Sequence, residues 1–518
     1  MSNYKILKKN SQIPLFILVL FIGFFSSLTY WIGINQGQVL SPESDQNKWT
    51  SINVVLDNLL NNYVDSLDSY ELSEKSINNI LKDLDPHSSF IPAKNRLSVN
   101  ESLVGHFGGI GIRFMIYNDT LTIVDVIEGG PSKLAGLKKR DRIIKIEGEN
   151  FAGVGIKNED VLKRLKGEIG SEVNIAVLNP NNEIVKHRLI RGSIPLKSIS
   201  ASTIIKNNIG YIKLSSFSNS SDLEFKNAII ELKNQGMEKL IFDLRFNGGG
   251  YLHQAINISD EFLKKNQLIV YTEGAHSKKR SFYSRSKGLF EDGELIILVN
   301  SSTASASEIV SGAIQDNSRG KILGRRTFGK GLVQQPLILP DSSELRITTS
   351  RYYTPSGKCI QKPYGENIDY DNDILERIES GELTQNDSIL DKSIFKGGIL
   401  PDVYSPIDTL GYTEAINNII YTRNWRDFCF SYFEKFPNPK TLDIKDYYDN
   451  FKVEIKELEK YFGENGEKIS SYTPKEISDL KWSLVVELSS YYYSDQSRYI
   501  LNTFRDSDVK KAIEEMSN

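Results

Sequence analysis

Glu294-Leu295-Ile296-Ile297-Leu298-Val299-Asn300 runs straight into Ser301-Ser302-Thr303-Ala304-Ser305-Ala306-Ser307-Glu308-Ile309. The unbroken apolar run predicts a buried strand. The small hydroxyl residues predict a turn, and the stretch from about Ala304 to Gln315 predicts a helix. That order sets Ser302, Thr303, Ser305 and Ser307 at the carboxyl edge of a sheet, beside the unpaired N–H groups of a helix start. Serine most often caps a helix. On local grounds capping and nucleophilic roles both stand, and which serine would attack stays open.

The same alternation continues on either side. Gly210–Leu214 and Leu240–Leu244 read as strands, and Ser221–Gln235 as a helix with Phe225, Ala228, Ile229 and Leu232 on one face and Gly236 as its stop. Gly248-Gly249-Gly250 turns the chain into a helix over Leu252–Lys264, and Lys321–Leu323 is a further strand. Alternating elements of this kind predict an α/β fold with a mainly parallel sheet. Leu332–Tyr353 reads as antiparallel strands.

Upstream, Gly105–Ile194 is β-rich, with short strands at Gly111–Ile116, Leu121–Val126, Arg142–Ile146, Glu172–Leu178 and Val185–Arg191 and one helix at Lys157–Lys166. Gly108-Gly109-Ile110-Gly111-Ile112 enters the first of these strands. Such a loop can converge N–H groups on a carboxylate while the strand edge pairs with an extended peptide; a plain glycine turn is the alternative. Trp49–Leu84 has helical periodicity through Ile52, Val55, Leu56, Leu59, Leu60 and Tyr63, and ends at Asp85-Pro86-His87-Ser88-Ser89-Phe90. Glu366–Asp387 is acidic and reads as an exposed loop, and after Val403 come helical stretches with no recognisable chemistry, a packing or partner-binding extension.

The 518 residues suit three or four domains, and a net charge of −3 argues against a nucleic-acid partner. Five histidines form no metal-ligand spacing, and Cys359 and Cys429 make neither a disulfide framework nor a zinc site. No metal or cofactor is expected. Lys5, Lys8 and Lys9 precede an uncharged apolar run from Ile13 to Ile34. At about 1.5 Å per residue this run spans a bilayer core of ~30 Å. The lysines favour the cytoplasm, which predicts a single-pass anchor with everything after Asn35 on the far side. A cleaved signal peptide is the alternative, and it exports the chain equally.

A serine nucleophile needs a base. Thr327-Phe328-Gly329-Lys330-Gly331 holds a lysine between two glycines. Burial beside Phe328, Leu332 and Val333 would lower its pKa until the neutral amine could accept a hydroxyl proton; an exposed turn lysine is the commoner arrangement. Gly324 to Lys330 also has the GxxxxGK spacing of a phosphate loop, but Gly331 stands where Ser or Thr would hold Mg²⁺, and Leu332-Val333-Gln334-Gln335-Pro336 looks extended rather than helical.

Two resemblances then apply. Val126-Ile127-Glu128-Gly129-Gly130-Pro131-Ser132, Ala135-Gly136-Leu137 and Asp141-Arg142-Ile143-Ile144-Lys145-Ile146 resemble the PDZ pattern. This implies a pocket for a protein's C-terminal carboxylate and last apolar side chain at Gly108, Gly109, Ile110, Gly111 and Ile112. The whole set resembles the carboxy-terminal processing (tail-specific) serine proteases. It includes Ala304-Ser305-Ala306-Ser307-Glu308-Ile309, Thr327 to Gln334, Asp243-Leu244-Arg245-Phe246-Asn247-Gly248-Gly249-Gly250, Tyr353-Thr354-Pro355-Ser356-Gly357 and Leu84-Asp85-Pro86-His87-Ser88. The resemblance spans roughly residues 50 to 405 in family order. The family usually has proline where Gly248 stands.

The resemblance implies Ser305 as nucleophile, Lys330 as general base, Gln334 as the residue positioning the lysine, and the backbone N–H groups of Ala306 and Gly249 as oxyanion hole. It implies a ClpP/crotonase-like β-α core and a PDZ unit that gates it. The implied divisions are a cytoplasmic N-terminus (1–12), a transmembrane anchor (13–34), a helical segment (45–95), a PDZ domain (100–195), a protease core (196–405) and a helical extension (406–518). The expected enzyme is a Ser-Lys endopeptidase of the bacterial inner membrane. It would act on the periplasmic side on proteins with apolar C-termini. The rival readings are a catalytically inactive PDZ scaffold and a Ser-His-Asp hydrolase using His253 or His276.

Overall fold

The structure, a computed structural model, describes residues 50–366, 368–370, 372–384, 397–407, 411–437, 444–466 and 468–517. The anchor expected at 13–34 and the cytoplasmic stretch at 1–12 lie outside these residues. Among the described residues no helix is long and apolar enough to cross a membrane. The chain divides into two units, residues 1–77 and 78–518. The helical stretch predicted from Trp49 to Leu84 is two helices, Thr50–Asn62 and Ser69–Lys82. The break between them ends where Asp68 Oδ1 accepts the Glu71 N–H at 2.8 Å, a side-chain cap that starts a new helix.

In the second unit the predicted alternation forms a six-stranded sheet in the order Ile199–Lys206, Ile209–Leu214, Lys239–Asp243, Leu295–Val299, Lys321–Gly324, Val403–Tyr404. The first pair is antiparallel and the rest are parallel. Every residue of Leu295–Val299 is buried, which is why that strand carries no polar position. Its side chains alternate. Ile297 and Val299 join Phe225, Ile229, Ile258, Ile309 and Val310 from the helices Ser221–Asn234, Leu252–Asp260 and Ala306–Asp316. Ile296 and Leu298 face the other way, onto Val509, Ala512 and Met516.

Those last residues belong to the helix Ser507–Glu515 and its C-cap, so the extension supplies the second face of the protease sheet. A charge cluster locks it there. Arg245 donates to Asp508 at 2.9 Å and to Asp506 at 2.8 and 2.9 Å, and Arg325 donates to Asp508 at 2.9 Å. The sequence had placed this segment outside the core, because an amphipathic helix does not declare which surface it covers.

A second sheet is antiparallel: Glu344–Tyr353 pairs with Leu332–Ile338, with Leu268–Gly274 and with the early strand Ser89–Ile91. Residues 89–91, expected within a helical segment, are thus part of the protease. The β-rich unit forms a sheet in the order Ile112–Tyr117, Thr120–Val126, Arg142–Ile146, Glu172–Leu178, Ile184–Ile190. Its inner face packs Leu121, Ile123, Ile143 and Val173 against Val161 and Leu165 of the helix Asn158–Leu165. Its outer face, through Val124, Met115 and Tyr117, meets Trp425, Phe430, Phe433 and Tyr491 of the extension.

The acidic segment expected as an exposed loop carries the helix Asp373–Glu379. Arg377 and Glu382 are buried there with Arg326: Arg326 Nε and Arg377 Nε donate to Glu382 Oε1 at 2.8 and 2.9 Å. Net acidity concealed charges that are matched inside. Cys359 and Cys429 are both free thiols.

Burial pushes the Asp508 carboxyl up, but Arg325 and Arg245 outweigh it and hold its pKa below the ordinary value. A depressed folded pKa stabilises above the unfolded value of about 3.9, and the stabilisation drains away as pH falls through the folded one. Asp508→Ala leaves two guanidinium groups short of a buried partner and is expected to cost about 3 kcal/mol in urea unfolding near neutral pH. A loss under about 0.5 kcal/mol, the range of ordinary surface changes, would mean that charge does not hold the helix.

Candidate active site

Ser305 begins the helix Ala306–Asp316 with φ +59° and ψ −116°, a region that non-glycine residues avoid. Two neighbouring hydroxyls are spent on structure. Thr303 Oγ1 donates to the Leu244 carbonyl at 3.0 Å and accepts the Asn300 N–H at 2.9 Å, while Ser307 Oγ donates to the Asn247 carbonyl at 3.0 Å. Ser305 Oγ instead lies 2.8 Å from the hydroxyl of Tyr352 and faces a cavity of about 760 Å³. The capping duty falls to Glu308, which accepts the Ser305 N–H at 2.8 Å. The strained turn and a hydroxyl that faces the cavity distinguish Ser305 from Thr303 and Ser307.

Glu308 does more than cap. Its fully buried carboxylate also accepts from Thr327 Oγ1 at 2.5 Å and from the backbone N–H groups of Gly329 and Lys330 at 2.7 and 2.8 Å. Burial pushes its pKa up and these donors pull it back. One side chain therefore fixes both the serine turn and the lysine loop. In the sequence the only signal for this role is the Ser-x-x-Glu spacing of a capping box.

Lys330 lines the same cavity as Ser305. Burial, then the charge of Arg346, pushes its pKa down, against the pull of Asp85 and Glu308. Its Nζ donates to Gln334 Oε1 at 3.1 Å, and Gln334 Nε2 donates to the His87 carbonyl. The His87 turn is in turn held by Asp85, whose carboxylate accepts from the N–H groups of His87 and Ser88 at 2.8 and 2.9 Å. Burial and then Lys330 push the His87 imidazole down to about 4, so it is neutral near pH 7. Ser305 and Lys330 are not hydrogen-bonded to each other; each holds a different partner.

Tyr352 is the contact that the sequence did not reveal. It is buried, and burial keeps its phenol far above the ordinary pKa and hence neutral. It sits on the strand Glu344–Tyr353, and only the register of the second sheet brings it to Ser305.

The Ala306 N–H, first of its helix, has no acceptor among the described residues. The Gly249 N–H departs from expectation, being engaged by Asn247 Oδ1 at 2.9 Å. What Gly249 contributes is close approach. At φ +99°, an added Cβ would lie 2.7 Å from Ser305 Cβ and 2.9 Å from Ala306 N. Gly248 meets no such crowding, so its position does not demand glycine. His253 lines the cavity, while His276 lies on an exposed turn. The loop Gly324–Lys330 is followed by the strand Leu332–Ile338, which removes the helix that a phosphate loop requires.

In the β-rich unit the side chain of Ile110 sinks into the core. The carbonyls of Ile110 and Gly111 accept from Ser132 and Ile127 at 2.9 and 3.0 Å, whereas the amides of Ile110 and Gly111 find no acceptor among the described residues.

The chain is similar to several known proteins. Residues 208–374 match the model of peptidase family S41, and residues 108–185 match a PDZ domain. A carboxy-terminal-processing protease of Bartonella bacilliformis is 30% identical over 336 residues, covering 63% of this chain and 76% of that protein. A probable CtpA-like serine protease of Staphylococcus aureus strain N315 is 31% identical over 356 residues, covering 68% and 71%. Among solved structures, a photosystem II D1 C-terminal processing protease aligns over 70% of this chain and 87% of its own, at 24% identity and a TM-score of 0.38.

Replacing Glu308 by alanine strands four donors in a buried space. The cost expected from unsatisfied groups is about 1–3 kcal/mol each, partly relieved by water, so a total near 3 kcal/mol should appear in denaturant unfolding. Wild-type stability in Glu308→Ala would show that the two loops are positioned by something else.

Proposed function

Because the chain belongs to peptidase family S41, the carboxy-terminal-processing serine proteases, and carries a PDZ domain, we propose that it is a Ser-Lys endopeptidase that cleaves proteins presented by their C-terminal tails. The observation that carries this reading is the shared cavity. Ser305, at a strained helix start, and Lys330, with its pKa pushed down by burial, both open into it.

In the proposed reaction Ser305 Oγ exchanges Tyr352 for the neutral Nζ of Lys330, which takes the hydroxyl proton as Oγ attacks the substrate carbonyl. The developing oxyanion faces the Ala306 N–H at the positive end of the helix. A second donor would come from the Gly248–Gly250 turn, and for Gly249 this means leaving Asn247. Lys330 passes its proton to the departing amine, leaving an acyl-enzyme. Water then attacks the ester, its proton going through Lys330 back to Ser305. Gln334, held between Lys330 and the His87 carbonyl, keeps the amine aimed at the cavity. The tail carboxylate would be bound by the free amides of the Gly108–Ile112 loop, with the terminal apolar side chain beside them.

The same proposal sets the enzyme at a bacterial inner membrane, anchored by residues 13–34 with its catalytic part outside the cytoplasm. The support is the uncharged apolar run behind Lys5, Lys8 and Lys9.

The decisive experiment is Lys330→Ala, assayed on an unfolded protein with an apolar C-terminus. Loss of about 10²- to 10⁴-fold in kcat is expected for removing a general base. Since the neutral amine is the active form, kcat/KM should rise with pH, with a midpoint below lysine's ordinary value of about 10.4. Full cleavage by Lys330→Ala would overturn the dyad. The His253→Ala, His276→Ala double variant is expected to keep its activity, and its inactivity would favour a histidine base.

A further inference from the structure

The strand Ile112–Tyr117 is an edge strand, paired among the described residues only with Thr120–Val126. It borders a cavity of about 510 Å³ whose opposite wall comes from the helical extension. Arg423, Arg426 and Asp427 stand there on the helix Arg423–Lys435, with Arg498 on the helix Asp495–Thr503. Lys157, at the start of Asn158–Leu165, closes one side. A PDZ unit by itself would lack this wall.

The cavity is cationic. Among its lining residues five cations face three carboxylates, a surplus of two; Arg113 and Lys157 of that count belong to the PDZ unit, and the extension supplies three of each sign. Glu487 is matched by Arg498 and Asp495 by Arg113, both at 2.5 Å. Asp427 lies 3.7 Å from the exposed Arg423, a loose contact. Arg426 and Lys157 are exposed and have no ion-pair partner among the described residues.

Geometry decides which part of a tail meets these charges. Along the edge strand Ile112, Phe114 and Ile116 pack toward the PDZ core, while Met115 and Tyr117 pack toward the extension. A peptide strand added to that edge inherits the same alternation. With its carboxylate at the Gly108–Ile112 loop it runs antiparallel to Ile112–Tyr117. The last residue and the third from the end then face the PDZ core, and the second and fourth from the end face the helical wall.

We propose that the extension is a specificity element: its Arg423 and Arg426 select tails that end in an apolar residue and carry acidic side chains at the second and fourth positions counted from the end. This rests on the tail-binding part of the function proposed above. Binding and cleavage are therefore measured separately.

The test uses the full chain with Ser305→Ala and fluorescently labelled ten-residue peptides ending in alanine, with glutamate or with lysine at those two positions. Fluorescence anisotropy should show the glutamate peptide binding about five-fold or more tightly, as two exposed ion pairs would give. The preference should shrink to within about two-fold when salt is raised from about 50 mM to about 500 mM. It should shrink likewise in Arg423→Gln/Arg426→Gln, both exposed positions, with the melting temperature confirming the fold. Equal binding of the two peptides, a preference unmoved by salt and by the double variant, or equal binding of an amidated glutamate peptide would each overturn the proposal. Intact preference in Ser305→Ala, with no cleavage by the unsubstituted chain, would remove the Ser-Lys reading and leave the groove standing.

Discussion

The geometry of the site depends on one buried carboxylate. Glu308 receives the Ser305 N–H on one side and Thr327, Gly329 and Lys330 on the other. In a dry interior each of these donors is costly if left unmet, so the helix start and the lysine loop are held in register with each other. The carboxylate can reach both because Val299 and Gly324, on adjacent parallel strands, end at the same edge of the sheet. Catalytic placement here follows from hydrogen-bond satisfaction.

The local parts were legible. A buried strand, a run of small hydroxyl residues and a helix could be read from Leu295 to Gln315, and a glycine-flanked lysine from Gly329 to Gly331, because periodicity and turn chemistry are short-range properties. Local reading could not choose Ser305 over Ser302, Thr303 or Ser307. That choice came from resemblance, and in the structure it corresponds to a positive φ and a hydroxyl that meets Tyr352. Tyr352 was illegible because it meets Ser305 across 47 residues of chain through sheet register. The glycine turn was legible in kind but not in use, since the amide assigned to an oxyanion is satisfied by Asn247.

Charge misled most. The acidic stretch from Glu366 looked solvated, yet Glu382 lies buried between Arg326 and Arg377. The extension looked like an appendage, yet Asp506 and Asp508 answer Arg245 and Arg325 across more than 180 residues. Composition counts charges, whereas burial depends on which of them find partners, and that is a long-range property. The same extension also covers the outer face of the PDZ sheet, so one appended module touches both the binding unit and the catalytic sheet.

The position of the helix Ser507–Glu515 has a consequence for biosynthesis. Arg245, which it pins, lies two residues before Asn247, the residue that orders the glycine turn beneath Ser305. A chain elongated only as far as its peptidase segment would expose Ile296, Leu298 and Leu323 to water and leave that arginine short of its carboxylates. The peptidase sheet is therefore covered on both faces only once translation has passed residue 515.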